Sequence, residues 1–243
     1  MGRLQQKVAV ITGASTGIGK SIAIAFADEG AKVVLASRSR EKLEAAAKEI
    51  RSLGGTALVI PTNVVVEADV ENLFHQIMED YGRVDILVNN AGITTKTPTD
   101  ELTLETWQSV LDVNLTGAFL CSRAALKIMK QQRSGRIINI GSVSAKVPRP
   151  HSAPYVTSKF GLEGFTRSLA LDGREHGISV CILHPGNTAT PIWQGREEQA
   201  QKEGVMSADD LARVALAMAT LPPDVSMLEG IVLPMKMPFL GRG

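Results

Sequence analysis

The chain has 243 residues, a length that suits one α/β unit with a sizeable buried core. Its 26 basic and 25 acidic residues leave a net charge of +1, which excludes the general positive field of a nucleic-acid or anionic-membrane binder. Hydrophobic content of 44% is ordinary for a globular protein, no signal-like apolar run precedes residue 8, and no segment approaches membrane-spanning length.

Taken in chain order, VAVIT (8–12) is apolar and β-branched on both faces, the pattern of a strand buried inside a parallel sheet. Gly13, Gly17 and Gly19 follow within seven residues, and Ile18, Ile22, Ala25 and Phe26 then fall at helical spacing up to a stop at Gly30. A glycine turn that feeds a helix offers free N–H groups, the positive end of the helix dipole and a backbone open to close approach, and so suits a phosphate. The spacing G-x-x-x-G-x-G differs from the G-x-G-x-x-G dinucleotide fingerprint, so the turn alone leaves a plain tight β–α connection equally open.

AKVVLAS (31–37) reads as a second strand, followed by a helix carrying Leu43, Ala46, Ala47 and Ile50 that ends at Gly54-Gly55. TALVIPTNV (56–64) is a third strand; Val70, Leu73, Phe74, Ile77 and Tyr81 mark a helix closed by Gly82. VDILVNNAG (84–92) is a fourth strand, residues 104–132 a long helical region, RIINIGS (136–142) a fifth strand, 153–176 a helix and ISVCILHPG (178–186) a sixth strand. Residues 187–206 are charged and irregular, 207–220 reads as a helix opened by Ser207, and MLEGIVLP (227–234) as a seventh strand. Cys121 and Cys181 lie among apolar neighbours, as buried free thiols of a cytoplasmic protein would, and no His/Cys/Asp cluster has metal-ligand spacing, so no metal is expected.

This alternation predicts one α/β unit over 1–243: a doubly wound, mostly parallel seven-stranded Rossmann-type sheet with helices on both faces, in three layers. Ligands in such folds bind beyond the carboxyl ends of the strands, where the unusual polar residues of this chain fall. After strand two, where dinucleotide folds carry an acid for the adenosine ribose, stand Ser37, Arg38 and Arg40; an arginine pairs with a 2′-phosphate that a carboxylate would repel, which favours NADP over NAD. After strand three come Asn63 and Val64, and after strand four Asn90, Ala91 and Gly92, which leave little bulk where a flat ring could lie. After strand five comes Ser142, then Tyr155 and Lys159, which share one helical face. A nearby ammonium would draw the phenol's pKa down toward useful acid–base values.

With TGASTGIG (12–19), NNAG (89–92), Asn114, Ser142 and YVTSK (155–159) in this order, the chain resembles the short-chain dehydrogenases/reductases over about residues 5–233. The resemblance implies a cofactor site at Gly13, Ser15, Thr16, Gly17, Ile18, Gly19, Ser37, Arg38, Asn63, Val64, Asn90, Ala91, Gly92, Tyr155 and Lys159. HPGNTAT (184–190) looks like the family's P-G-x-x-x-T segment and adds Pro185, Gly186, Thr188 and Thr190, toward the nicotinamide carboxamide. It implies Tyr155 as general acid or base, Ser142 on the same substrate oxygen, Lys159 on the nicotinamide ribose and Asn114 as anchor of a proton-relay water. Asn63 stands where relatives more often carry Asp, and the tail PMKMPFLGRG lacks their Asp-Gly-Gly. A homotetramer or homodimer is implied by the family alone.

The expected activity is NADP-dependent hydride transfer between the nicotinamide and a small-molecule carbonyl/secondary-alcohol pair, with no nucleic-acid or membrane partner. An NAD-dependent alcohol, sugar or steroid dehydrogenase and a non-catalytic NADP-binding sensor are the alternatives. Substrate contacts are expected from Ser144, His151 and Trp193, with residues 187–206 as a lid between glycines and Arg149 as a hint of an anionic group.

Overall fold

The computed structural model describes residues 2–190, 198 and 202–239. Seven strands form one sheet: β1 (Val8–Thr12), β2 (Lys32–Ser37), β3 (Thr56–Pro61), β4 (Ile86–Asn89), β5 (Gly135–Ile140), β6 (Ile178–Pro185) and β7 (Glu229–Val232). Their order is β3-β2-β1-β4-β5-β6-β7, and every neighbouring pair is parallel. The order reverses between β1 and β4, so a crevice opens at their carboxyl ends.

The sequence dictates two covered faces because the central strands carry apolar residues on both sides of the pleat. In β1, Ala9 and Ile11 point to one core, shared with Ile22, Phe26, Leu43, Ile50 and Leu211. Val8 and Val10 point to the other, shared with Val70, Leu73, Ile77, Leu120 and Met129. The first face is covered by α1 (Gly17–Asp28), α2 (Arg40–Ser52) and α7 (Ala208–Ala219), and the second by α3 (Glu67–Tyr81), α5 (Gly117–Gln132) and α6 (Ala153–Arg174). Cys121 and Cys181 are buried free thiols, one in each core, and burial pushes both up to about 12.

The long helical region over 104–132 is continuous but not uniform. α4 (Leu104–Leu111) passes into a π turn over Asp112–Thr116 before α5 begins. The widened turn carries Asn114 into the interior, where its side chain is held on both sides. β3 stops at Pro61 and β4 at Asn89, so Asn63, Val64 and the Asn90–Gly92 stretch lie past the strand ends rather than within them.

Candidate active site

Beyond the carboxyl ends of the strands lies a cleft of about 810 Å³. It brings together Gly13, Ser15, Thr16, Gly17 and Ile18 of the glycine turn, Ser37 and Arg38 after β2, and Asn63 and Val64 after β3. Asn90, Ala91 and Gly92 come from β4, Ser142, Ser144, Tyr155 and Lys159 from the β5–α6 region, and Pro185, Gly186, Thr188 and Thr190 from β6. Gly19 and Asn114 support the wall without lining it. His151 is exposed and not among the lining residues; its carbonyl accepts from the N–H of Thr97, also off the wall, at 2.9 Å. Trp193, with residues 191–197 and 199–201 of the expected lid, lies outside the described residues.

The turn at the crevice is tied across the sheet. Thr12 Oγ1 accepts from the N–H groups of Asn90 at 3.0 Å and Ala91 at 3.1 Å, and Asn90 Nδ2 donates to the carbonyls of Thr12 at 2.9 Å and Gly13 at 3.2 Å. A methyl group on Gly19 would sit 2.4 Å from Asn90 Nδ2 and 2.5 Å from Gly13 O, so only glycine lets α1 start this close to β4. α1 has neither a side-chain cap nor an acid in its first turn, whereas Ser39, Thr103 and Ser207 cap α2, α4 and α7. Uncapped N–H groups at a cleft-facing helix start are the donor set a diphosphate needs. Ser37 Oγ, buried at the end of β2, has no hydrogen-bond partner among the described residues. These features fit a dinucleotide with its diphosphate on the glycine turn and its adenosine end toward β2 and β3.

At the other end of the cleft, Ser142 is the buried first residue of a 3₁₀ turn over Val143–Ala145, and its Oγ accepts from the Ser144 N–H at 3.0 Å. Tyr155 is half-buried. Burial raises its pKa, and the neighbouring Ser142 hydroxyl lowers it by less. The ammonium effect expected from the sequence is not the dominant one here. Lys159 Nζ is 5.6 Å from the ring centroid and donates to the Ile140 carbonyl at 2.8 Å, and desolvation lowers its own pKa to about 8. A methyl group on Gly92 would lie 3.4 Å from Asn114 Oδ1 and 3.8 Å from Lys159 Nζ, which places both side chains behind the same strand end. Both ends of the Asn114 amide are engaged: Oδ1 accepts from Ile93 N–H at 2.8 Å, and Nδ2 donates to Ile93 O at 2.9 Å and Ser158 Oγ at 3.0 Å.

Ser142 is also braced from behind. His184, fully buried on β6, has Nδ1 at 2.8 Å from Ser142 O and 3.2 Å from Ser142 N. Its Nε2 faces Glu163 and Glu229, and Lys146 Nζ sits 2.7 Å from an oxygen of each. The positions these three residues could offer a metal ion are therefore bridged by an internal ammonium. Sequence reading did not single out Lys42, Lys96 or Asn187, all on the cleft wall. Lys42 had a legible signal, one helical turn beyond Arg38 at the start of α2; Lys96 and Asn187 had none, because loop paths bring them in.

Comparison with known proteins adds an independent line. The family model for short chain dehydrogenases matches residues 7–201. A 3-oxoacyl-[acyl-carrier-protein] reductase from Synechocystis is 41% identical over 214 residues, 88% of this chain and 85% of the relative. The crystal structure of a short-chain type dehydrogenase/reductase from Mycobacterium marinum superposes with a TM-score of 0.89 at 32% identity, covering 94% of each chain. That of a metagenomic short-chain oxidoreductase in complex with NADP gives 0.85 at 33% identity, covering 96% of this chain and 99% of that one.

Proposed function

The chain belongs to the short-chain dehydrogenase family and is an NAD(P)-dependent oxidoreductase; from that premise we propose that it interconverts a carbonyl and a secondary alcohol with NADP, using Tyr155 as general acid and base. The observation that carries the reading is that Ser142, Tyr155 and Lys159 line one cleft, with Lys159 Nζ 5.6 Å from the Tyr155 ring centroid. Two hydroxyls side by side form a donor pair for one carbonyl oxygen.

In reduction, the substrate oxygen accepts hydrogen bonds from both hydroxyls. A nicotinamide, when bound, supplies the hydride to the carbonyl carbon. Tyr155 gives its proton to the oxygen as the negative charge develops there, and Ser142 holds that oxygen in place. The phenolate left behind is stabilised by the Lys159 ammonium, the majority form at neutral pH for a group with pKa about 8. Oxidation reverses these proton movements. His184 keeps the Ser142 backbone in register, and Asn114 fixes the Ile93 segment against α6 beside Lys159, the place for a proton-return path to solvent.

NADP is favoured over NAD because Arg38 and Lys42 both line the adenosine end, and no carboxylate lines it among the described residues. The structural relative solved with NADP supports the same choice. Residues 187–206 are proposed as the substrate lid, within a single 1–243 unit that works as a dimer or tetramer in the cytoplasm. The test is Tyr155→Phe. We expect kcat to fall by about 10²–10⁴ while NADPH affinity changes less than about threefold. Wild-type turnover in this variant would remove the acid–base role.

A further inference from the structure

The charge of the cleft wall departs from that of the chain. Five basic residues line it, Arg38, Lys42, Lys96, Arg149 and Lys159, and no Asp or Glu does among the described residues. A chain with 26 basic and 25 acidic residues does not produce that by composition. Arg38 and Lys42 follow β2 and serve the adenosine end, and Lys159 serves the chemistry. Lys96, after β4, and Arg149, after β5, lie on the Ser142 side of the crevice, where the proposed function leaves them without a task. β2 and β5 are three strand spacings apart, about 14 Å, so the two basic groups are separate devices.

Arg149 is built in. Its carbonyl accepts from the buried Ser152 hydroxyl at 2.6 Å, and its guanidinium donates to Asn187 Oδ1 at 3.0 Å and Glu203 Oε2 at 2.6 Å. The same Glu203 oxygen accepts from Asn187 Nδ2 at 3.0 Å. Arg149 and Asn187 thus already grip a carboxylate, one supplied by the chain itself. Both line the cleft, and Glu203 does not. Asn187 lies one residue from Thr188, so this grip adjoins the segment assigned to the nicotinamide end.

Resting on the oxidoreductase reading, we propose that the substrate is the anion of an oxo or hydroxy acid whose carboxylate takes the place of Glu203 on Arg149 and Asn187. A guanidinium and an amide N–H converge on one carboxylate oxygen, a charge-assisted donor pair for an anion. Lys96, exposed and without an ion pair among the described residues, adds attraction at the cleft mouth. Glu203 is then an internal competitor that fills the grip until substrate arrives.

The test uses the NADPH-loaded enzyme and matched pairs of 2-, 3- and 4-oxo acids of four to eight carbons and their methyl esters. Dihydroxyacetone phosphate and dihydroxyacetone serve as a phosphate arm. The wild type is expected to favour at least one acid over its ester by about tenfold or more in kcat/KM. Arg149→Met should remove that preference and leave ester kinetics within about threefold. Arg149→Lys, which keeps charge but loses the fork, should fall between and decides the matter if Arg149→Met does not fold. Glu203→Gln should act in the opposite sense and lower KM for the acid. Equal or better turnover of the esters, parallel losses on acid and ester in Arg149→Met, weakened acid turnover in Glu203→Gln, or a phosphate preferred over every carboxylate would each overturn the proposal. Equilibrium binding by calorimetry separates it from the parent reading. If no compound is turned over, the Tyr155 reading fails for these substrates, and binding still tests the grip. Tighter binding of acid than ester, lost in the Arg149 variants, would still support the grip, and equal binding would end it.

Discussion

Thr12→Val tests whether the crevice is held by side-chain bonding or only by sheet packing. Thr12 is 2% exposed at the end of β1, and valine matches its shape. The hydroxyl accepts from two backbone N–H groups, Asn90 at 3.0 Å and Ala91 at 3.1 Å, and donates to Val88 O at 3.4 Å. Valine leaves those two part-buried donors without their acceptor, at about 1–2 kcal/mol each, for a loss of about 2–4 kcal/mol. In a chain of this size each kcal/mol moves Tm by about 2–4 °C, so a drop of roughly 4–16 °C is expected. Thr12→Ser keeps the hydroxyl and should stay within about 1.5 kcal/mol of wild type. Thermal melts of apo and NADPH-bound protein provide the assay, and the loss should be accompanied by weaker NADPH binding because Asn90 and Ala91 line the cleft. A Thr12→Val protein that melts within about 1 °C of wild type, with unchanged cofactor affinity, would refute the reasoning.

Other outcomes follow from the same geometry. Gly19→Ala places a methyl 2.5 Å from Gly13 O and should weaken NADPH binding by about tenfold or more, whereas Gly164→Ala, exposed in α6 with nothing within 4 Å, should stabilise by about 0.5–1 kcal/mol; reversed signs in binding and melting measurements would contradict this packing. Arg38→Asp should cut kcat/KM for NADPH by about 10–100-fold and spare NADH, and an unchanged ratio of the two would count against the NADP reading. Lys159 has a folded pKa of about 8, below its unfolded value, so folding disfavours its ammonium. The unfolded chain holds a proton that the folded chain lacks between about pH 8 and 10.4, and stability rises with pH there. Lys159→Met should therefore be inactive yet more stable at pH 7, by about 2 kcal/mol after the lost Ile140 hydrogen bond, with the gain vanishing toward pH 10. Urea melts across that range would expose a constant or negative difference.

Much of the architecture was legible because its signals are local. Unbroken apolar strands, helices at 3.6-residue spacing and glycine stops are each written within a dozen residues, and parallel topology follows from their alternation. The residues of the candidate site were picked out for a related reason: Ser142, Tyr155 and Lys159 sit just past a strand or on one helical face, and the sheet gathers strand ends together. The π turn was not legible, since Asn114 leaves no mark of the hydrogen bonds to Ile93 and Ser158 that accompany it. Nor was the brace behind Ser142, because His184 is 42 residues away and meets it only through β5–β6 pairing.

The sequence by itself determined the class of fold, the polar residues that fall beyond the strand ends and the residue types available for acid–base work, because periodicity and strand-end position are properties of the chain alone. Only the tertiary structure decided the electrostatics. Burial moves Lys159 down and Tyr155 up, and loop paths place Lys96 and Arg149 on the wall while turning His151 away. Desolvation and long-range pairing depend on what surrounds a group in space, and neighbours distant in sequence set both.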